Sequence, residues 1–221
     1  MRDNKFIAAS AGFVFVCSGL AMALCLTGGP GPQLEPGPYR AVGRTLARQS
    51  LALLKPGGAI TVISRDTATF QNPATDVLLA AFRAELATAH ATIDSVQILQ
   101  IDPLRPSAVP SGDFAQWIKH GSKGSVIVSL MGPPTLSEAE RTQVGEIKPA
   151  IVAFCSGPVV EQVDLRLLFS QGLLHAAVVS KAAALCKSSQ SSSEREIFDS
   201  KFIEVTAANL TALSAVSNTS P

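Results

Sequence analysis

Two hydrophobic rhythms alternate along most of the chain. Residues 59–64 (AITVIS), 95–101 (SVQILQI), 125–131 (SVIVSLM), 150–155 (AIVAFC) and 174–180 (LHAAVVS) are short, apolar and β-branched, without polar alternation. That pattern predicts five strands buried on both faces, because a strand with one wet face alternates polar with apolar. The segments before and between them, 42–54, 73–91, 111–120, 136–144 and 159–170, are predicted helices. In 73–91, Val77, Leu78, Ala81, Phe82 and Leu86 recur at three-and-four spacing. Pro73 suits a first helical turn, and Ser111 and Thr135 stand where caps belong. Lys55-Pro56-Gly57-Gly58 and Gly172 end helices.

Strand and helix taking turns in this way predict a parallel sheet with right-handed crossovers. The expected fold class is α/β: a three-layer α/β/α sandwich, flavodoxin-like or Rossmann-like, with five or six strands. It occupies residues 39–186. Residues 187–196 (KSSQSSSERE) read as a flexible Ser-rich loop. The tail, 197–221, is expected to add an edge strand over 198–205 and then to loosen.

Ahead of the domain lies a different pattern. Residues 6–26 (FIAASAGFVFVCSGLAMALCL) carry no charge, and a helix of that length spans about 30 Å, the thickness of a hydrocarbon core. Arg2 and Lys5 precede it and the next basic residue is Arg40, so residues 1–5 are expected in the cytoplasm and the bulk of the chain outside. The segment reads as a transmembrane signal anchor; the alternative is a signal peptide cut near Ala23, after the small-x-small run Ala21-Met22-Ala23. Gly12 and Gly19 would let a second membrane helix approach. Residues 27–38 (TGGPGPQLEPGP) read as a linker.

Composition narrows the partners. The net charge of +1 gives no electrostatic footprint for nucleic acid, and one Trp and one Tyr leave no base-stacking platform. Charged residues at 16% against 47% hydrophobic exclude wholesale disorder. The expected partners are the lipid bilayer and an integral membrane protein, with a small ligand as the other option.

Candidate chemistry falls at the carboxyl ends of the strands, where open parallel sheets bind ligands. The residues there are Arg65 and Asp66 after the first strand, Asp102 after the second, Gly132 after the third, and Ser156 and Gly157 after the fourth. Cys155 and Cys186 lie in the exported part and could form a disulfide; two separate buried thiols are the alternative. His90, His120 and His175 lack metal-ligand spacing, and phosphate-loop and nucleophile-elbow signatures are missing, so neither metal nor cofactor is expected. Asn209-Leu210-Thr211 and Asn218-Thr219-Ser220 match the glycosylation pattern.

Three stretches, SVIVSLMGPP at 125–134, PAIVAFCSG at 149–157 and FSQGLLHAAVVS at 169–180, carry a likeness. Through them residues 59–180 resemble one lobe of the type I periplasmic sugar-binding proteins. The resemblance implies the α/β fold and a ligand at the sheet's carboxyl end. That family closes two lobes on a sugar, whereas this stretch supplies one, and the stacking aromatics are mostly missing.

Three functional readings follow. The first is a non-catalytic, membrane-anchored periplasmic domain that docks on a membrane protein complex. The second is a single-lobe module binding a sugar or anion. The third is a small hydrolase using Ser156 or Cys155.

Overall fold

Each of the five apolar runs forms a strand in the computed structural model, which describes residues 34–68, 71–100, 109–145, 148–157, 163–181 and 193–213. In chain order the elements are α1 (Pro36–Leu53), β1 (Ile60–Arg65), α2 (Pro73–Thr88), β2 (Ser95–Leu99), α3 (Ser111–His120), β3 (Val126–Ser129) and α4 (Glu138–Val144). Then come β4 (Ala150–Cys155), α5 (Leu165–Ser170), β5 (Ala176–Ser180), α6 (Glu194–Lys201), β6 (Phe202–Thr206) and a 3-10 helix (Ala207–Leu213). The six strands form one sheet in the order β2-β1-β3-β4-β5-β6. The first five are parallel, and β6 runs antiparallel to β5.

The pleat sends alternate side chains to opposite faces. Val62, Val128, Val152 and Val178 meet Val42 and Leu46 of α1, Phe82 and Leu86 of α2, and Phe198 of α6. Ile63, Ile127, Ile151 and Val179 meet Phe114 and Ile118 of α3, Val144 of α4, and Leu168 of α5. Two apolar layers thus cover the central strands β1, β3, β4 and β5, whose sequences do not alternate; β2, expected to be buried on both faces, is an edge strand with no fully buried residue. Helices α1 and α2 cross closely at Gly43, where an added Cβ would stand 2.3 Å from the Leu78 carbonyl oxygen.

The helix starts follow local chemistry. The side chains of Asn72, Ser137, Asp164 and Ser193 accept from the backbone N–H three residues on. At α4 the Glu140 carboxylate also reaches back to the Ser137 N–H at 2.7 Å, closing a capping box.

Several expected boundaries are corrected. Residues 36–38, read as linker, are the first turn of α1, whose prolines suit that position. Ser137, not Thr135, caps α4, and Ser111 opens α3 without a side-chain cap. The expected strand over 198–205 divides: 194–201 is a helix that takes three residues from the predicted Ser-rich loop, and the edge strand begins at Phe202. Phe198 and Phe202, four residues apart, both enter one apolar layer, with ring centroids 5.8 Å apart.

Among the described residues no helix is long and apolar enough to cross a membrane. The expected span at 6–26, with Gly12 and Gly19, lies outside them, as do the linker over 27–33 and Cys186.

Candidate functional site

Strand order reverses between β1 and β3. From β1 the chain goes one way to β2 and then returns across the sheet to β3, so their carboxyl ends form the switch point at which parallel sheets of this kind bind ligands. Register decides which residues meet there. Ile63 pairs with Ser129, Ser129 with Ala153, and Ala153 with Ala177. Carried past the last pairs, the same register puts Asp66 level with Ser156 and Ser180, with Arg65, Cys155 and Val179 one row below; after β3 the chain turns at Leu130 and Met131, so Gly132 belongs to the turn rather than to the row. Two contacts hold the row: Leu130 N–H donates to the Ile63 carbonyl at 2.9 Å, and Gly157 N–H donates to Ser180 Oγ at 3.3 Å. At a strand spacing of about 4.8 Å, Asp66 and Ser156 are roughly 10 Å apart. Five sequence-predicted residues, Arg65, Asp66, Gly132, Ser156 and Gly157, therefore share one edge, and Asp102 lies outside the described residues.

Their roles differ. Arg65 is half-buried, and among the described residues its guanidinium has no ion-pair or hydrogen-bond partner. By the pleat it shares the α3–α5 face with Ile63, so the β4 residue level with it there is Cys155. Asp66 turns into its own loop, where its Oδ1 accepts from Ala68 N–H at 2.8 Å. Gly132 is buried with φ +99°, so it serves as the left-handed joint after β3 rather than as an exposed contact. Ser156 and Gly157 are exposed.

Buried hydroxyls also stand at this edge, and of these Ser129 is not singled out by the sequence. Ser129 Oγ accepts from Met131 N–H at 3.3 Å, and Ser64 Oγ donates to the Arg65 carbonyl at 3.4 Å. Ser129 stands at the last position of β3 and captures an N–H of the turning chain, and its only signal is a serine breaking an otherwise apolar run.

Among the described residues no imidazole stands at this edge. Cys155 is a buried free thiol, and desolvation pushes its pKa up to about 12. All three histidines stand at the sheet's amino end: His90 after α2, His120 at the end of α3, and His175 just before β5. His120 Nδ1 pairs with the Gln116 carbonyl at 2.7 Å. His175 Nδ1 accepts from Ile151 N–H at 3.2 Å, and burial, with the Lys148 charge, lowers its pKa. A strand's length therefore separates every imidazole from Ser156 and Cys155, roughly 15–20 Å. Among the described residues no group of His, Cys, Asp and Glu could hold a metal ion.

Two other features lie elsewhere. A cavity of about 350 Å³ sits at the amino end of β2, lined by Arg83, Leu86, Ala91, Ile93 and Asp94 among others. The Asn209 amide is committed within its own turn: Oδ1 accepts from Thr206 N–H at 2.6 Å and Nδ2 donates to the Glu204 carbonyl at 2.9 Å. Asn218 lies outside the described residues.

The fold is similar to that of sugar-binding proteins of ABC transporters. One is a sugar ABC transporter (sugar-binding protein) from Bacillus halodurans. It is 14% identical, with 80% of this chain and 64% of that one covered at a TM-score of 0.53. Another is AraP, an arabinose binding protein from Geobacillus stearothermophilus. It is 13% identical, with 79% and 63% covered at a TM-score of 0.50. The likeness is one of fold, extends beyond residues 59–180, and spans just under two thirds of the length of these proteins. No family model matches the chain, and no curated protein matches it in sequence.

Proposed function

We propose that this domain is a non-catalytic, extracytoplasmic module that binds a small polar ligand, a sugar or an anion, at the carboxyl edge of β1, β3 and β4. The observation that carries the reading is the edge at the order reversal, where half-buried Arg65 has no hydrogen-bond or ion-pair partner among the described residues and Ser156 and Gly157 lie exposed two strands away. The fold shared with two sugar-binding proteins supports it. The charge-free run at 6–26 behind basic residues supports export or anchoring.

The test is thermal unfolding across a panel of neutral sugars, acidic sugars and anions. A ligand at a hundred times its Kd stabilises the fold by about 2.7 kcal/mol, which is roughly 5–10 °C in Tm for a domain of this size. Arg65→Ala should remove the shift. A shift that survives the substitution takes Arg65 out of the site.

A second reading, an accessory subunit on a membrane protein complex, is favoured by one surface feature. Ile98 on the edge strand β2 is 64% exposed, an apolar side chain beside an open ladder. Isolation from the native membrane fraction with an associated polypeptide would support it, and a free monomer would count against it.

A further inference from the structure

We infer that the outer edge of β2 is an interface between two copies of this chain, which pair β2 antiparallel with β2 about a two-fold axis at Gln97. This goes beyond the ligand reading and does not depend on it.

The backbone decides which groups are on offer. The Ala59 and Ile63 carbonyls accept from Val126 and Leu130 N–H, so the odd-numbered residues of β1 turn to β3 and the even-numbered ones to β2. On that side the Leu99 carbonyl accepts from Asp66 N–H at 2.8 Å. With Ile63 level with Gln97 and Arg65 with Leu99, Gln97 and Leu99 turn their backbone groups inward to β1. Val96 and Ile98 then turn theirs outward, and β2 is the last strand on this side among the described residues. Residues 95–99 (SVQIL) hold neither charge nor proline, the usual means of blunting such an edge.

The side chains fit a second copy. Val96 stands level with Val62 and packs in the layer beneath α1 and α2. Ile98, two residues on, shares that face by the pleat and is 64% exposed. Beside Val96 lies the cavity of about 350 Å³, whose apolar wall is Leu86, Ala87, Ala91 and Ile93. One strand thus carries an apolar knob and, next to it on the same face, an apolar seat. A copy turned about Gln97 places Ile98 of each chain opposite Val96 of the other, so both knobs meet both seats. The outward backbone groups of Val96 and Ile98 fall into hydrogen-bonded pairs in the same register. Asp94 then stands opposite Gln100, an acceptor against an amide donor, and no like charges meet. Moving the axis by one residue sets Ile98 against Asp94 or against itself. So short a ladder makes a small interface, and a Kd on the order of 10 μM is expected.

The experiment is sedimentation of the full chain in mild detergent from about 1 to 200 μM, joined to oxidation of Gln97→Cys and Ser95→Cys in detergent and in the native membrane fraction. Across the axis the two copies of position 97 form a non-hydrogen-bonded pair with Cα atoms about 4.5 Å apart, within disulfide reach. The two copies of position 95 are about 14 Å apart along the strands. The expected result is a reversible dimer that Ile98→Lys weakens at least tenfold, with an unchanged urea midpoint showing that the variant is folded. Gln97→Cys should give a disulfide-linked dimer whose joined peptides both contain position 97. Ser95→Cys should stay at the level of the unsubstituted chain, which has four cysteines of its own. A monomer throughout overturns the inference, as does a dimer indifferent to Ile98→Lys, which must associate elsewhere. Equal cross-linking at positions 95 and 97 overturns the register. A cross-link in membranes from position 97 to a different polypeptide overturns the second copy in favour of a foreign strand. None of these outcomes bears on the ligand reading.

Discussion

Lys201 and Glu35 are 166 positions apart in sequence, yet Lys201 Nζ donates to Glu35 Oε2 at 2.7 Å. The lysine side chain is 11% exposed and the glutamate 49%, so the cation is the partner with little water to fall back on. Two neighbouring contacts run the same way: Arg44 pairs with Glu194, and Gln49 donates to Glu204. The end of the domain is thereby fastened to its first helix. Removing the exposed partner strands a buried charge, whereas removing the charge itself does not. Glu35→Ala should therefore cost about 1–2 kcal/mol in a urea titration, while Lys201→Met should be near neutral. Equal losses would show that the pair acts through packing alone.

His175 gives the fold a pH dependence whose direction follows from its bond. Nδ1 accepts from the Ile151 N–H, which only a neutral ring can do, and burial and Lys148 hold its pKa below the ordinary value of 6.5. The unfolded chain thus takes up a proton at a higher pH than the folded one. The stabilisation is complete above the unfolded pKa and is lost as pH falls through the lower, folded value. Urea midpoints between pH 8 and pH 4.5 should drop on acidification, and His175→Gln should flatten that part of the drop.

Gly43 tests the helix crossing. In an isolated helix alanine is better than glycine by about 1 kcal/mol. Here its Cβ would meet the Leu78 carbonyl oxygen at 2.3 Å, a backbone atom that cannot swing aside. Gly43→Ala should therefore destabilise by about 1–3 kcal/mol despite the gain in propensity. A stabilised variant would show that α1 and α2 can part freely.

Cys155 should be silent to thiol reagents in the native protein. At full burial, with a pKa near 12, it has almost no thiolate at neutral pH. Peptide mapping after a brief alkylation should find it unmodified, and modified once urea unfolds the chain. Native labelling would reopen nucleophilic chemistry at this edge.

Much of the fold was legible because both-face burial writes itself plainly: AITVIS, SVIVS and AIVAFC admit few other readings. Boundaries failed where local signals compete. Gly-Pro spacing over 27–38 reads as linker, yet Pro36 and Pro38 suit a helix's first turn equally well. Phe198 and Phe202 fit a strand or a helix, and the deciding mark was Ser193 with Glu196 three residues on, a capping pattern hidden in the Ser-rich run. The site divides similarly. The order-reversal rule picks out strand ends from sequence, but that Asp66 and Ser156 stand level depends on pairing register, which the strand sequences do not encode one by one. Ser129 was invisible because nothing in SVIVSLM marks it as the group that stops the strand.

Helix α1 is made before any strand, yet it packs against β3, β4 and β5 and is fastened to α6. Val42, Leu46 and Ala47, all fully enclosed in the finished molecule, have no complete seat until residues far downstream have emerged. This helix, made ahead of the sheet it covers, is thus among the last elements to settle, and until then it offers a bare apolar stripe to whatever is nearby. Ribosome-bound chains halted before β4 should accordingly engage chaperones through this helix and lose that dependence once α6 is released.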